Sequence, residues 1–266
     1  MAKKKKKKRP FSKKGSNPNK QNSPARPATR AGSNAGRGFR FQDAVAVWLA
    51  VGIWADQRPP SIMIPEGGDD VELRGADTTF VQIKSRRDHL GDYPESAAVR
   101  HVRDLWDRCI GSNPQPALME LILERNVVGF APSREHWTTH TIDGPIRARL
   151  ASASRSGDPV TKTSITVAGS PQEASINVIA DKLNCSPIVA QMCFAELLVR
   201  VGHLADDNGR LRPEDYRGLS VSDTDGSIRD VLATVDVDAI ERAVRDGVCE
   251  PVDFLTPLYD PNFYLG

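Results

Sequence analysis

The stretch GDDVELRGADTTFVQIKS, residues 68–85, carries Asp70, Gln82 and Lys84, residue types suited to phosphodiester hydrolysis. A hard divalent cation such as Mg²⁺ takes oxygen ligands and keeps several of its waters. One carboxylate with one or two carbonyl-type oxygens therefore suffices on the protein side. Asp70 would supply the charge, the Gln82 amide oxygen a neutral ligand, and the Ile83 backbone carbonyl a third. Mg²⁺ or Mn²⁺ held there would lower the pKa of a bound water and neutralise charge building on the phosphate. Lys84 would orient that water and stabilise the transition state. Glu66, in IPEGGDD just upstream, could add the charge that Gln82 lacks. The competing reading of the same residues is a polar, solvated sheet face.

For these side chains to meet, the stretch must be a hairpin. DVELR and TFVQIKS alternate in polarity, with GADT as the turn between them. Residues two apart share a face of a strand. Phe80, Gln82 and Lys84 thus point one way and Val81 and Ile83 the other, while Val71 and Leu73 alternate with Asp70 and Glu72. One face is expected to be apolar and packed on helices; the other presents Asp70, Gln82 and Lys84 near one end.

Around the hairpin, GFRFQDAVAVWLAVGIWAD has Phe41, Val45, Trp48 and Leu49 at helical spacing and predicts a helix from about 40 to 55, stopped by RPP. SIMIPE reads as a short buried strand, PESAAVRHVRDLWDRCI as a second helix, and ALMELILERNVVGF as a central strand. GPIRARLASAS suggests a helix and TSITVAG a strand. From Pro171 the texture becomes helical: PQEASINVIADKLN, SPIVAQMCFAELLVRVGHLA and SIRDVLATVDVDAIERAVRDG. The first half is helix, strand, hairpin, helix, strand, an α/β plan; the second is a helical module.

GFRFQ on the first helix, then PEGGDD, then QIK resembles the PD-(D/E)xK restriction-endonuclease-like superfamily. Within it the chain looks most like the Mrr-like branch, with Gln in place of the acidic residue at 82. Closer still, it resembles the double-stranded-DNA endonuclease effector domain of bacterial anti-phage systems, which stands ahead of a cyclic-oligonucleotide sensor or a STAND-type NTPase. The resemblance covers about residues 38–130. It implies a restriction-endonuclease-like core, a mixed sheet flanked by helices, with a helical C-terminal extension. It also implies Asp70 and Gln82 as metal ligands, Lys84 as the catalytic lysine, and Gln42 as the first-helix polar residue reaching into the site. The expected activity is Mg²⁺- or Mn²⁺-dependent cleavage of double-stranded DNA, switched on by homo-oligomerisation through a sensor or STAND NTPase region in the same or a partner chain. A nucleic-acid-binding module without catalysis, and a helical adaptor, are the alternatives.

The expected organisation is a basic tail over 1–37, a nuclease core over 38–168 and the helical extension over 169–266. Residues 1–40 hold fourteen Lys and Arg and no Asp or Glu, which leaves 22 basic against 34 acidic residues in 41–266. The basicity belongs to the tail, whose composition predicts disorder and weak nucleic-acid binding by counterion release; a solubilising role is the alternative. The longest apolar run, Ala44 to Ala55, is short of the roughly 20 residues that cross a bilayer, and no apolar segment follows the charged N-terminus. A cytoplasmic, non-membrane protein is expected. The apolar, aromatic end VCEPVDFLTPLYDPNFYLG suggests the front part of a longer protein.

Other residues carry weaker signals. Arg86 and Arg87 follow the second hairpin arm and could hold DNA phosphates, with Lys84 beside them; a solvated turn is the equal alternative. Cys109, Cys185, Cys193 and Cys249 lack metal-ligand spacing and read as reduced core thiols. The five histidines show no ligand spacing, and Trp48, Trp54, Trp106 and Trp137 read as core. There is no GxxxxGK[ST] phosphate loop and no GxSxG serine.

Overall fold

Every residue from Val45 to Trp54 is buried, and a helix that is apolar all round must be covered on every side. That requirement organises the molecule. The computed structural model describes residues 31–67, 70–112, 118–130, 137–141 and 163–246. Helix α1 (Ala31–Trp54) lies between a sheet and a layer of later helices. On its sheet side are Met63, Val71, Leu73, Val81, Ile83 and Ile122; on the other are Val178, Ile179, Phe194, Leu197 and Val201, all in one continuous core.

The sheet has six strands in the order β1-β2-β3-β4-β6-β5. These are β1 (Ile62–Pro65), β2 (Val71–Arg74), β3 (Thr78–Lys84), β4 (Leu118–Leu123), β5 (Trp137–Thr141) and β6 (Thr163–Ala168). The first three form an antiparallel meander. Helix α2 (Glu95–Ser112) then carries the chain to β4, parallel to β3; β6 is parallel to β4, and β5 is antiparallel to β6. This is an α/β fold on a mixed sheet, as the sequence pattern predicts. Strand β5, in a stretch without strong alternation, is not foreseen by it. The helix expected at GPIRARLASAS lies outside the described residues.

The second sheet face differs from expectation. It is not open: α2 packs on it through Val99, Val102, Leu105 and Trp106 against Phe80, Met119, Leu121 and Leu123. A parallel crossover lays its helix on a sheet face, and the alternation in β3 alone cannot say which face that is. Gln82 is therefore buried; Glu72 is buried too, against Gly67, and ion-paired to Arg74 at 2.7 Å.

Two boundaries also move. Helix α1 starts at Ala31, earlier than the predicted residue 40, because extending a helix already nucleated on a buried stripe costs little per residue. The helical region packs on α1 opposite the sheet: α3 (Pro171–Leu183), α4 (Pro187–Asn208) and α5 (Val221–Thr234) complete its cover. SIRDVLATVDVDAIERAVRDG breaks into α5 and α6 (Val237–Arg245). Val235 is extended there, and the Asp236 carboxylate accepts the Ala239 N–H at 2.8 Å, starting a new helix.

Among the described residues, α4 alone is long and apolar enough to cross a membrane. It sits in the core through Ile188, Val189, Cys193, Phe194 and Leu197. Trp48, Trp54 and Trp106 are core residues as expected, and Cys185 and Cys193 are free thiols. Burial, with Cys185 nearby, pushes the Cys193 thiol up to about 12.

Candidate active site at the hairpin mouth

The link from β1 to β2 closes on itself. Glu66, in a left-handed conformation at φ 52°, donates its N–H to the Asp70 carbonyl at 2.9 Å. Gly67 passes so close to Glu72 that an added Cβ would lie 2.6 Å from the Glu72 Cβ, so only glycine fits. The start of the link is held from outside: buried Asn208, at the end of α4, donates to the Pro65 carbonyl at 2.8 Å and the Arg217 carbonyl at 2.8 Å, and accepts the Arg217 N–H at 2.8 Å.

Asp70 leaves the ladder one residue before β2, and its side chain continues it. Oδ2 accepts the Ile83 N–H at 2.6 Å and faces Lys84 Nζ at 3.4 Å. The N–H and C=O of one strand residue point to the same side, so the Ile83 carbonyl also faces this mouth. Lys84 is anchored through its backbone: its carbonyl accepts the Tyr93 hydroxyl at 2.9 Å and the Glu124 N–H at 3.1 Å. The Lys84 side chain is 30% exposed.

The mouth is electronegative. Burial and then the Asp70 charge push the Glu66 carboxyl above its ordinary range. Asp43, half-buried on α1, is pushed up to about 6 by burial, then by Glu66 and Asp206. Asp43 on α1 thus feels the charges of Glu66 and Asp206, and Glu66 that of Asp70.

Of the residues singled out by sequence, the structure brings together Asp70, Lys84, Glu66 and the Ile83 backbone. Gln82 stands apart. It is 3% exposed, and its amide lies between the His101 carbonyl and the Arg108 guanidinium of α2. Gln42 is half-buried on α1 and makes no hydrogen bond to Asp70, Glu66 or Lys84 among the described residues. Arg86 is committed to structure: its guanidinium donates to the carbonyls of Gly91 (2.9 Å) and Leu90 (3.0 Å), and it lies over the Tyr93 ring at 5.1 Å. Arg87 is half-buried beside it.

Sequence reading missed Asp43 and Asp206. Asp43 had a signal, a carboxylate next to Gln42 on the edge of an apolar helix; Asp206, far along the chain, had none. His101 is also newly placed. It meets Tyr93 edge-on, with ring centroids 6.3 Å apart, and burial, then Lys84 and Arg100, holds it below the usual imidazole range.

Among the described residues no three His, Cys, Asp or Glu side chains form a metal cage. What converges is a pair of carboxylates, Glu66 and Asp70, joined through a backbone hydrogen bond and followed by a lysine. No family model, no curated protein and no solved structure matches this chain.

Proposed function

We propose that the chain is a divalent-metal-dependent endonuclease for double-stranded DNA, built on a restriction-endonuclease-like core. The observation that carries this reading is the Asp70–Lys84 pair across the hairpin mouth, 3.4 Å apart, between the residue leading into β2 and the end of β3 in a helix–strand–hairpin–helix–strand core. The donor set suits Mg²⁺ or Mn²⁺, which take hard oxygens and one or two carboxylates and keep several of their waters. Glu66 and Asp70 repel each other's charge, and a cation between them would relieve that repulsion. Asp70, Glu66 and the Ile83 carbonyl would hold it. When bound, the ion supplies a water of lowered pKa and charge neutralisation at the phosphate.

The chain's own residues do the rest. Asp70, tied to the Ile83 N–H, keeps one carboxylate oxygen in a set position. Lys84, one strand residue further, places a cation where charge grows on the transferring phosphate and orients the attacking water. The strand ends hold both to each other, so little is reorganised in the transition state. By the resemblance, the role is that of a cytoplasmic anti-phage effector activated by assembly, an unguarded nuclease being harmful to its host.

A second reading, a DNA-binding module without catalysis, is favoured by one observation: Gln82 lies under α2 instead of at the mouth. Plasmid cleavage over a protein concentration series separates the two, in Mg²⁺ or EDTA, with wild type beside Lys84→Ala. Mg²⁺-dependent cutting that the variant loses supports the nuclease, and a steep concentration dependence points to assembly. No cutting even when the chain is artificially clustered overturns it.

A further inference from the structure

Gln82 takes no part at the mouth, yet its surroundings under α2 define a second surface. Its amide satisfies both neighbours in one orientation: the nitrogen donates to the His101 carbonyl at 3.2 Å and the oxygen accepts from the Arg108 guanidinium. Arg108 reaches back along the helix to do so, and its Nε donates to the Asp104 carbonyl at 3.2 Å. A carboxylate at 82 would hold the same guanidinium but cancel its charge; the amide holds it and leaves it cationic.

This surface borders Lys84. Residues two apart share a strand face, so Lys84 points to the same side of β3 as Gln82. A crossover helix runs antiparallel to the parallel strands it joins, so the first turns of α2 lie level with the end of β3. There the His101 ring meets Tyr93 edge-on, and the Tyr93 hydroxyl donates to the Lys84 carbonyl at 2.9 Å. Arg100, next to His101, and Arg108 are both exposed. Among the described residues Arg100 is in no ion pair. Burial first, then Lys84, Arg100 and Arg108, hold the His101 imidazole below its usual range, with Asp104 alone acting the other way. Asp107, four residues after Arg103, is spaced to offset that arginine instead. Three cations against one carboxylate make this flank positive.

Duplex DNA carries one negative charge per roughly 1.7 Å of axis, and the hairpin has little to hold it with. Lys84 already faces Asp70 at 3.4 Å, and the Arg86 guanidinium is spent on the Leu90 and Gly91 carbonyls. We propose that the β3-side flank of α2, with Arg100 and Arg108 beside Lys84, is the surface that grips the DNA backbone, and that Gln82 is the positioning residue that keeps Arg108 on it. This rests on the nuclease reading for the identity of the polyanion. Guanidinium groups suit the task because their planar fork takes phosphate oxygens two at a time.

The test is binding of a 30-base-pair duplex in EDTA, by fluorescence anisotropy, over 50–200 mM salt. It compares the full chain with Arg100→Gln, Arg108→Gln, Arg108→Lys and Gln82→Glu. Arg229→Gln, at an exposed arginine of α5 paired with Asp225, is the control. Each lost phosphate contact makes the slope of log affinity against log salt shallower by about 0.9. That shift is expected in Arg100→Gln, Arg108→Gln and Gln82→Glu, with affinity several-fold weaker at the low-salt end. Arg108→Lys and Arg229→Gln should keep the wild-type slope. Wild-type slopes in both Arg→Gln variants, or an equal shift in Arg229→Gln, overturn the proposal. Should Gln82→Glu not fold, Gln82→Met, which drops the hold and adds no charge, decides the positioning role: a several-fold loss of affinity is expected, and unchanged affinity overturns it. Cleavage in Mg²⁺ keeps this surface separate from the nuclease reading. Where wild type cuts, Arg100→Gln and Arg108→Gln should raise KM several-fold and keep kcat; an unchanged KM overturns the surface alone. Shifted slopes with no cutting by any form overturn the nuclease alone.

Discussion

Asp70 Oδ2 accepts the Ile83 N–H at 2.6 Å while lying 3.4 Å from Lys84 Nζ. One carboxylate oxygen thus ends a β-ladder and meets the cation of the very next residue. The structural and the chemical roles of Asp70 share an atom, which makes them separable by choice of substituent.

Asp70→Asn keeps an oxygen for the Ile83 N–H but removes the charge. It should abolish Mg²⁺-dependent cleavage and leave stability nearly unchanged. Asp70→Ala removes the acceptor as well and should cost a further 1–3 kcal/mol or so, read by urea melts. Identical stability losses in both variants would show that Asp70 acts through its charge in the fold itself.

Asp43 makes stability depend on pH in a defined direction. Its folded pKa is raised from 3.8 to about 6, so the folded state holds its proton more tightly than the unfolded one. The favourable contribution is complete below about pH 4 and is lost as pH rises through about 6. The step corresponds to at most about 3 kcal/mol. Asp43→Asn should therefore melt above wild type at pH 7.5, with the gap closing towards pH 4. Millimolar Mg²⁺ should narrow the same gap from the wild-type side. A gap independent of pH would rule out the coupling of Asp43 to Glu66 and Asp206.

Arg58 and Glu120 form a pair beneath α1: two bonds at 3.0 and 3.1 Å, with Thr166 donating to Glu120 at 2.6 Å and the guanidinium 4.8 Å over Trp48. Burial alone would raise the Glu120 pKa, but the Arg58 charge and the bonds from Arg58 and Thr166 hold it below the usual range. Its contribution is present above the unfolded pKa and lost as pH falls through the folded one. Arg58→Met leaves a buried charge and should cost about 3–5 kcal/mol at pH 7. The loss should shrink below about pH 4.5, where Glu120 can be neutral when unfolded. Arg58→Met with Glu120→Leu should recover most of the loss, measured by denaturant melts.

Asn208 positions the start of the acidic link from the far end of α4. Asn208→Ala removes three hydrogen bonds, to Pro65, Arg217 and from Arg217, and leaves the buried Pro65 carbonyl without this partner, costing about 1–3 kcal/mol. At a temperature where the variant is folded, the metal concentration needed for half-maximal cleavage should rise several-fold while the Lys84-dependent maximum is kept. A changed maximum with unchanged metal dependence would mean that Asn208 does not act through Glu66.

Much of this was legible in the residues. The continuous burial of Val45–Trp54, the alternation in β2 and β3, and the helical periods after Pro171 are local patterns, set by which side chains must avoid water. They determine the α/β plan and put Asp70 at the entry of one hairpin arm and Lys84 at the end of the other. Tertiary structure decided what local period cannot encode. α2 was free to cover either face of β3, and its choice buried Gln82 against Arg108. Asp206 comes near Asp43 only because α4 covers α1, and its effect on Asp43, 163 positions away in sequence, is a matter of distance through space and loss of water. Charge interactions fall with separation and strengthen on burial, and both quantities exist only once the chain has folded.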